Sequence, residues 1–273
     1  MLHPFFSSTR PLVFAHRGGS ALAPENTLAA FDNGLALGAH GLELDVHLSR
    51  DGVVVVHHDC MLERTTNLQG PVAERTAGEL SRADAGFFFR DGGGFPFRGR
   101  GIGVPALADV LLKYRDARII LELKGDGVDL GRATVEAVRA AGAIDRVCLG
   151  AFGARGLRAA RTLEPALATS ASGSEVRWAL YRSWCRWPVS RVRYAGYQIP
   201  EWAGRTHVVT PRFIEAAHRA GLGVQVWTVD EPADARRLLG WGVDALITDR
   251  PDLMVPLVKA WSADHTLVRG IRL

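Results

Sequence analysis

Residues 41–58 read GLELDVHLSRDGVVVVHH, and the prediction of the fold starts from this pattern. Two β-branched, apolar runs, Gly41–His47 and Val53–His57, are separated by a short turn that contains Asp51-Gly52, a dipeptide typical of β-hairpins. Parallel strands need a longer crossover connection, so the second run is predicted to fold back as an antiparallel strand. The second run is therefore an extension of the first and does not count as a strand of the parallel sheet.

Outside the hairpin, similar runs alternate with segments of helical period, a pattern that predicts βαβ units and a mainly parallel sheet. The other candidate strands are Leu12–His16, Arg118–Lys124, Arg146–Ala151, Leu167–Ala171, Ala195–Ile199, Val224–Val229 and Asp244–Thr248. The candidate helices include Thr27–Leu37, Leu130–Ala141, Thr210–Ala220 and Ala233–Leu239. Without the returning strand of the hairpin, eight parallel strands remain, which is the number that closes a (β/α)8 TIM barrel.

Length and composition agree with one barrel. The 273 residues fit the roughly 250 of a typical barrel, so residues 1–273 are predicted to form a single domain. A hydrophobic share of 47% and a charged share of 23% exclude a disordered or collagen-like chain. Residues 84–103, DAGFFFRDGGGFPFRGRGIG, fit neither period. They are predicted to be an insertion, either a lid over the site or a surface loop that packs on the barrel.

Charge and cysteine content narrow the function class. The 33 basic and 29 acidic side chains give a net charge of +4, which could attract an anionic substrate but is not the signature of a nucleic-acid partner. Cys60, Cys148 and Cys185 are odd in number and far apart, which argues against disulfides and a CxxC site. No run approaches the ~18 apolar residues of a membrane helix, and no signal peptide is evident. A cytoplasmic protein is predicted.

Two predicted strands carry acidic side chains on a face that would be apolar in an ordinary buried strand. Glu43 and Asp45 point to one side of their strand, while the leucines and valine between and beside them point to the other. In a barrel covered by helices the apolar side faces the helices, so the acids must line the interior or the mouth. Glu122 and Lys124 share a face in the same way. Because unpaired buried carboxylates are costly, a cation is their expected partner. The alternative, a structural Glu–Lys pair with surface acids, accounts for either strand singly and is less favoured for both together.

The hairpin also bears on which histidine joins the acids. With a two-residue loop His58 opposes Asp45, and with a four-residue loop it opposes Glu43. Directly opposed residues share a face, so both registers place His58 with the acids and leave His57 as a packing or surface residue. A three-residue loop would reverse this assignment.

The end of the first predicted strand supplies further polar groups. His16 and Arg17 lie where barrel enzymes hold their active sites, and glycines follow them. This set suits a phosphate ester, since cations hold the anion, acids hold a metal and imidazoles move protons. Asn26 and Thr27 fit a capped helix start. The segment 248–251 is predicted to order the last turn, without a catalytic role.

At this point the chain resembles a family, the bacterial glycerophosphodiester phosphodiesterases, from the superfamily that includes phosphatidylinositol-specific phospholipases C. The matching motifs follow one another in order between about residues 12 and 252: HRGGSALAPENTLAAF, GLELDVHLSRDGVVVVHHDCMLERTTN, VPALADVL, LELK, VQVWTVD and GVDALITDRPD. Two departures are Ala151-Phe152-Gly153, where the family tends to show Ser-Phe-Asp, and the stretch from about 173 to 194.

The resemblance implies a role for each of eight residues in this chain. They are Glu43, Asp45 and Glu122 as metal ligands, His16 and His58 as the acid–base pair, Arg17 and Lys124 on the phosphate, and Trp227 beside the alcohol group. Hard oxygen ligands favour one Mg²⁺ or Ca²⁺ over zinc. The implied activity is hydrolysis of glycerophosphodiesters to glycerol 3-phosphate and an alcohol. The alternatives are a phospholipase D-like enzyme acting on lysophospholipids and a non-catalytic barrel that binds glycerophosphodiesters.

One segment stays outside this function. Arg177–Tyr194 interleaves five arginines with three tryptophans, a mixture that can contact an anionic membrane surface or a nucleic acid. The interpretation we favour is an outer barrel helix whose arginines extend their side chains to solvent, with weak membrane contact as the alternative. The sequence does not indicate an oligomeric state.

Overall fold

The computed structural model describes residues 2–189 and 192–269 of the chain. Its strands are β1 (Leu12–His16), β2 (Gly41–Leu48), β3 (Val54–Val56), β4 (Arg118–Leu123), β5 (Val147–Gly150), β6 (Ala168–Thr169), β7 (Gly196–Pro200), β8 (Trp202–Ala203), β9 (Thr206–His207), β10 (Gly223–Trp227) and β11 (Ala245–Thr248). Eight of them are parallel and adjacent in the order β6-β5-β4-β2-β1-β11-β10-β7. A parallel bridge between Ser170 and Gly196 joins the two ends. The predicted TIM barrel is confirmed.

Helices cover the outside of this barrel, and one short helix lies in the excursion that follows β3. They are α1 (Leu28–Ala36), α2 (Ala77–Leu80), α3 (Leu107–Lys113), α4 (Val128–Ala140), α5 (Arg155–Leu163), α6 (Gly173–Cys185), α7 (Pro211–Arg219), α8 (Pro232–Trp241) and α9 (Pro251–Arg269). The four helices predicted from the sequence agree with α1, α4, α7 and α8 to within two residues at each end. Over the described residues, none of the helices has the length and apolar character needed to cross a bilayer.

The barrel interior is filled with apolar side chains below the mouth. Phe14, Ile120 and Ile247 are buried there with Phe5 and Phe6 from the N-terminal turn. The ring of Phe6 lies so close to the first residues of β7 and β10, both glycines, that any side chain at those positions would clash with it. The N-terminal segment therefore plugs the amino ends of the strands, an element that the sequence analysis did not predict.

The observed register of the hairpin differs from both of the registers that placed His58 on the same face as the acids. β2 and β3 are antiparallel as predicted, but Val46 pairs with Val56 and Leu48 pairs with Val54. The turn closes where the Ser49 amide donates to the Val53 carbonyl, at 2.9 Å, and this leaves a three-residue loop. The predicted two- and four-residue loops are therefore wrong, and the continued pairing would place His57 opposite Asp45.

The predicted insertion is part of a longer excursion. The chain leaves the barrel after β3 and returns at α3, forming on the way a 3-10 turn, Val72–Glu74, and the short helix α2. This excursion has a small core of its own, in which Val55, Leu62 and Leu80 are buried. Within residues 84–103 the structure shows turns, and the Arg98 guanidinium stacks on phenylalanine rings of the same segment.

Candidate active site

A cavity of about 660 Å³ opens at the carboxyl ends of the barrel strands. All eight residues that the sequence analysis selected lie in its wall: His16, Arg17, Glu43, Asp45, His58, Glu122, Lys124 and Trp227. No residue of the 84–103 segment, all of which is described, is among those that line this cavity. This arrangement agrees with the interpretation of residues 84–103 as a surface loop. It shows no contact that would support their interpretation as a lid over the site.

Strand register brings the three carboxylates together. Asp45 of β2 is the direct parallel partner of Glu122 in β4, while Glu43 precedes Asp45 by two residues on the same face. One oxygen from each carboxylate lies within 4.8 Å of the others. A cation bound at 2.3–2.6 Å from such oxygens could reach all three. The donor set is made of hard oxygens, so these residues fit Mg²⁺ or Ca²⁺.

Two basic side chains partly neutralise the acids. The Lys124 ammonium lies 2.8 Å from Asp45 Oδ1 and 2.7 Å from Glu122 Oε1. Arg17 Nε lies 3.2 Å from Asp45 Oδ2 without the geometry of a hydrogen bond. Among the described residues it is the buried side-chain nitrogen that lacks a hydrogen-bond partner. Its N–H group is therefore available to an oxygen of a ligand.

Burial and charge separate the pKa values of the two most enclosed acids. Burial, followed by the neighbouring Asp45 carboxylate, raises the pKa of Glu43 well above its ordinary range. Burial also acts to raise the pKa of Asp45, but Lys124 and Arg17 outweigh it and lower that pKa. Burial therefore favours the neutral form of Glu43, whereas the two neighbouring cations favour the charged form of Asp45.

Both histidines in the cavity are held by a carboxylate at Nδ1. Asp249 Oδ1 lies 2.7 Å from His16 Nδ1, and Asp59 Oδ1 lies 2.6 Å from His58 Nδ1. Burial acts to lower the pKa of His16, but Glu43 and Asp249 together outweigh it, so the pKa is raised. A carboxylate on Nδ1 fixes the tautomer and leaves Nε2 to exchange protons with a ligand.

His58 reaches the cavity by a different route from the predicted one. The β2–β3 ladder ends at Val56, the His57 N–H donates a last bond to the Asp45 carbonyl at 3.0 Å, and the chain then turns. His57 is buried, with its Nε2 3.3 Å from the Met61 carbonyl, as a packing residue would be. The carbonyl of His58 lies 3.0 Å from His47 Nε2, which holds the turn. The structure places His58 in the cavity wall, although the predicted register is wrong.

Two residues that support the site were assigned only structural roles from the sequence. The Asn26 amide donates to Asp45 Oδ2 at 2.8 Å, and its oxygen accepts from the Asp45 backbone N–H at 3.2 Å. Thr27 caps α1 as predicted. Asp249, predicted to order a turn, also holds His16. The signals in the sequence for these roles were the motif PENT, which contains Asn26, and the motif TDRP, which contains Asp249. Helix caps and turns produce the same motifs, so the sequence did not separate the two explanations.

A salt-bridge network that the sequence analysis missed connects His58 to Arg17. Arg64 donates to both oxygens of Glu25, at 2.8 and 2.7 Å, and to Asp59 at 2.5 Å. Asp59 holds His58, while Glu25 accepts from Arg17 Nη1 at 3.1 Å. These residues come from two separate loops, so only the folded chain brings them together.

The remaining wall of the cavity is largely apolar. It includes Leu180, Tyr181 and Trp184 of α6 together with Ile199 and Phe152. The segment Arg177–Tyr194, of which Arg191 lies outside the described residues, therefore does not form a simple outer barrel helix. One side of α6 faces the cavity.

The fold and this site together define a class of protein, a barrel hydrolase of phosphodiesters. The comparisons are consistent with that class: residues 16–253 match the model of the glycerophosphoryl diester phosphodiesterase family. The match covers most of the chain. The protein belongs to the glycerophosphoryl diester phosphodiesterase family.

Individual relatives match along nearly their whole length. The chain is 33% identical to a glycerophosphodiester phosphodiesterase of Caldanaerobacter subterraneus subsp. tengcongensis, over 92% of this chain and 98% of the relative. A crystal structure of glycerophosphodiester phosphodiesterase from Agrobacterium tumefaciens has a TM-score of 0.74 and 31% identity, covering 89% of this chain and 98% of that one. A phosphodiesterase of Oleispira antarctica in complex with sn-glycerol-3-phosphate has a TM-score of 0.72 and 26% identity, covering 92% and 97%.

Proposed function

We propose that this protein hydrolyses glycerophosphodiesters to glycerol 3-phosphate and an alcohol, and that the reaction depends on a divalent cation. The observation that carries the proposal is the convergence, in one cavity, of three carboxylates, two basic side chains and two histidines that are each backed by a carboxylate. The phosphodiesterase of Oleispira antarctica, with its product sn-glycerol-3-phosphate, supports the choice of substrate.

The cation would be held by Glu43, Asp45 and Glu122, whose oxygens lie close enough to share it. When bound, it would supply positive charge that polarises the phosphate. Mg²⁺ and Ca²⁺ both suit this donor set. Asn26 would keep Asp45 in the orientation needed for binding, because it bonds to both the side chain and the backbone of that residue.

Two basic residues would hold the phosphate. Arg17 has a buried Nε–H without a hydrogen-bond partner among the described residues, and a phosphoryl oxygen would satisfy it. Lys124 lies beside the acids and would offset negative charge as the phosphoryl oxygens gain it. Trp227 lines the same cavity and would lie beside the alcohol group.

His16 and His58 would move the protons. One imidazole takes a proton from the attacking hydroxyl, and the other gives one to the leaving alkoxide; steps of this kind contribute about 10²–10⁴-fold each. Two routes fit the residues present. The glycerol 2-hydroxyl attacks first and forms a cyclic phosphate that water then opens, or water attacks phosphorus directly. Trapping the cyclic product distinguishes the two.

The decisive experiment uses metal-stripped protein. It is incubated with glycerophosphocholine or glycerophosphoethanolamine, with and without added Mg²⁺ or Ca²⁺, and glycerol 3-phosphate is measured through a coupled dehydrogenase. Release that requires the cation supports the proposal. Equal release in the presence of a chelator contradicts the metal requirement. Binding of the substrates without any release favours the non-catalytic barrel.

A further inference from the structure

Three residues deep in the catalytic cavity have no task in the function proposed above. Gly150, Ser170 and Gln198, here termed the polar floor, all line the cavity. Ser170 is only 2% exposed. Its carbonyl accepts from Arg161 Nη2 at 2.9 Å, but its hydroxyl forms no hydrogen bond with any described residue. Because buried polar groups normally have a hydrogen-bond partner, we expect a molecule inside the cavity to supply one.

The glycine leaves open the space between the two polar side chains. The position that a Cβ atom at residue 150 would take lies 2.9 Å from Gln198 Oε1 and 3.3 Å from Ser170 Oγ. Both oxygens therefore lie beside the bare Cα of Gly150, where a side chain would crowd them. Gln198 Nε2 donates to Gln225 Oε1 at 3.0 Å, and this bond holds the carboxamide with its oxygen toward the open space.

A hydroxyl group of a ligand matches the two atoms that the polar floor presents. A hydroxyl can donate to Gln198 Oε1 and at the same time accept from Ser170 Oγ. An ammonium group, in contrast, finds no negative charge in the polar floor. Over the described residues, the carboxylates that line the cavity are Glu43, Asp45 and Glu122, and the proposed cation uses all three.

Neighbouring strands place the polar floor on the side of the leaving alcohol. Gly150 is the direct parallel partner of Glu122, so the floor adjoins the proposed cation site. Gln225, which accepts the bond from Gln198, precedes Trp227 by two residues on β10 and shares its face of the strand. Trp227 is the residue proposed to lie beside the alcohol group. The polar floor therefore lies next to the group that leaves.

We propose that Gly150, Ser170 and Gln198 bind a hydroxyl group of the leaving alcohol, so that the protein prefers glycerophosphodiesters of polyols. This assignment rests on the proposed function and names an alcohol class for the same site, of which glycerophosphoglycerol is the simplest example. In its hydrolysis the hydroxyl of water joins phosphorus, the phosphorus–oxygen bond to the second glycerol breaks, and that glycerol oxygen receives the remaining proton. The products are glycerol 3-phosphate and glycerol.

The test compares two esters that differ only in the hydroxyl groups of the leaving alcohol. Glycerophosphoglycerol and glycerophosphopropanol carry the same three-carbon chain, and release of glycerol 3-phosphate from each is measured as kcat/KM with Mg²⁺ present. We expect glycerophosphoglycerol to be favoured about tenfold, because each neutral hydrogen bond contributes about twofold to tenfold. Equal kcat/KM for the two esters overturns the inference but leaves the proposed function intact. Silence with every substrate overturns the proposed function itself.

Variants then locate the effect. We expect Ser170→Ala to lower the ratio of glycerophosphoglycerol to glycerophosphopropanol kcat/KM about twofold to tenfold, because it removes one hydrogen bond. Gly150→Ala should lower the ratio further, because its Cβ would fill the space between the two oxygens. Ser183→Ala is the matched control and should leave the ratio unchanged. Ser183 is also buried, at 5% exposure, but it bonds to the Leu180 carbonyl and does not line this cavity.

A third substrate, glycerophosphocholine, separates a hydroxyl site from other roles of the polar floor. Its choline carries no free hydroxyl, so its kcat/KM should stay nearly constant in Ser170→Ala and Gly150→Ala, which also reports an intact fold. An equal loss with all three substrates would mean that the floor binds their shared glycerol or only supports the fold, and the inference would be wrong. A ratio that stays unchanged in both variants would attribute the preference to the different acidity of the two alcohols and would equally overturn it.

Discussion

The two walls of the cavity are built in different ways. The polar wall lies on β1, β2 and β4, where ladder pairing sets His16 beside Glu43 and Asp45 beside Glu122. The apolar wall lies mainly on α6 and the loop that contains Phe152, which no strand register constrains. Groups that need fixed distances therefore lie on or directly beside the rigid sheet, while the apolar surface lies on a helix and a loop outside it.

The largest expected effect is on the polar wall. His16→Ala or His58→Ala should lower kcat by at least ~10²-fold, because each removes one of the two groups proposed to transfer protons. The measurement is steady-state release of glycerol 3-phosphate. His218→Ala is the control, because His218 is half-exposed on α7 and pairs with Asp244 away from the cavity lining. A near-normal kcat for either variant would remove that histidine from the mechanism.

A smaller effect should follow from loosening one metal ligand. Asn26→Ala removes both hydrogen bonds that orient Asp45, and loss of such a supporting partner usually costs 10–100-fold in metal affinity. Isothermal titration of metal-stripped protein with Mg²⁺ or Ca²⁺ measures this directly. Asn67→Ala, which removes a hydrogen bond within the excursion, should leave the affinity unchanged. Unaltered affinity in Asn26→Ala would show that β2 alone positions the carboxylate.

The pH dependence of cation binding tests the electrostatics of the same wall. Burial and Asp45 raise the pKa of Glu43, so a cation held by this residue, as proposed, would compete with its proton. Apparent affinity should therefore rise with pH from about 6 to about 9, by up to about tenfold per unit for one released proton. Glu43→Gln should bind more weakly and show a shallower slope. A flat profile in the unmodified protein would mean that Glu43 is already ionised or is not a ligand.

The smallest expected effect comes from the network behind the polar wall. Arg64→Ala breaks the contacts that join Asp59 to Glu25 and so loosens His58 and Arg17. A fall in kcat/KM of about threefold to tenfold is expected, below the ~10²-fold that a full 1 Å misplacement can cost. Arg64→Lys keeps the charge but loses the two-oxygen contact with Glu25, so it should restore part of the activity.

Arg50→Ala is the matched control for Arg64, because it removes another partly exposed arginine–glutamate pair, to Glu79. Exposed pairs of this kind contribute little to stability, so neither alanine variant should change the melting temperature much. An equal loss of activity in both variants would indicate a general effect on the fold and would rule out a positioning role for Arg64.

The polar wall was predictable because its pattern is local. Side chains alternate along a strand, so the acids at 43 and 45 had to leave the helix-covered side of the barrel. The same rule places Glu122 and Lys124 together. Parallel strands then carry these side chains to one mouth. The hairpin shows the limit of this reasoning. A difference of one residue in loop length reversed the face predicted for His58. His58 lines the cavity because the β2–β3 ladder ends before this residue.

The apolar wall and the supporting network were not predictable. The segment around α6 matched the family poorly, and its aromatic residues fit an outer helix equally well. Arg64, Glu25 and Asp59 meet across loops, for which periodicity gives no distance. The plug formed by Phe5 and Phe6 likewise depends on contacts with strands about 190 to 220 positions further along the chain.

The sequence is enough to predict the barrel and the side of β2 and β4 that carries the acids, while the family resemblance selects eight of the residues that line the cavity. The sequence alone suffices there because strand periodicity and parallel connection are local rules that short runs of residues obey. Only the tertiary structure decided which carboxylate backs each histidine, which amide holds Asp45, and which side of α6 faces the cavity. Those contacts join residues distant in the chain, and their geometry depends on how whole elements pack.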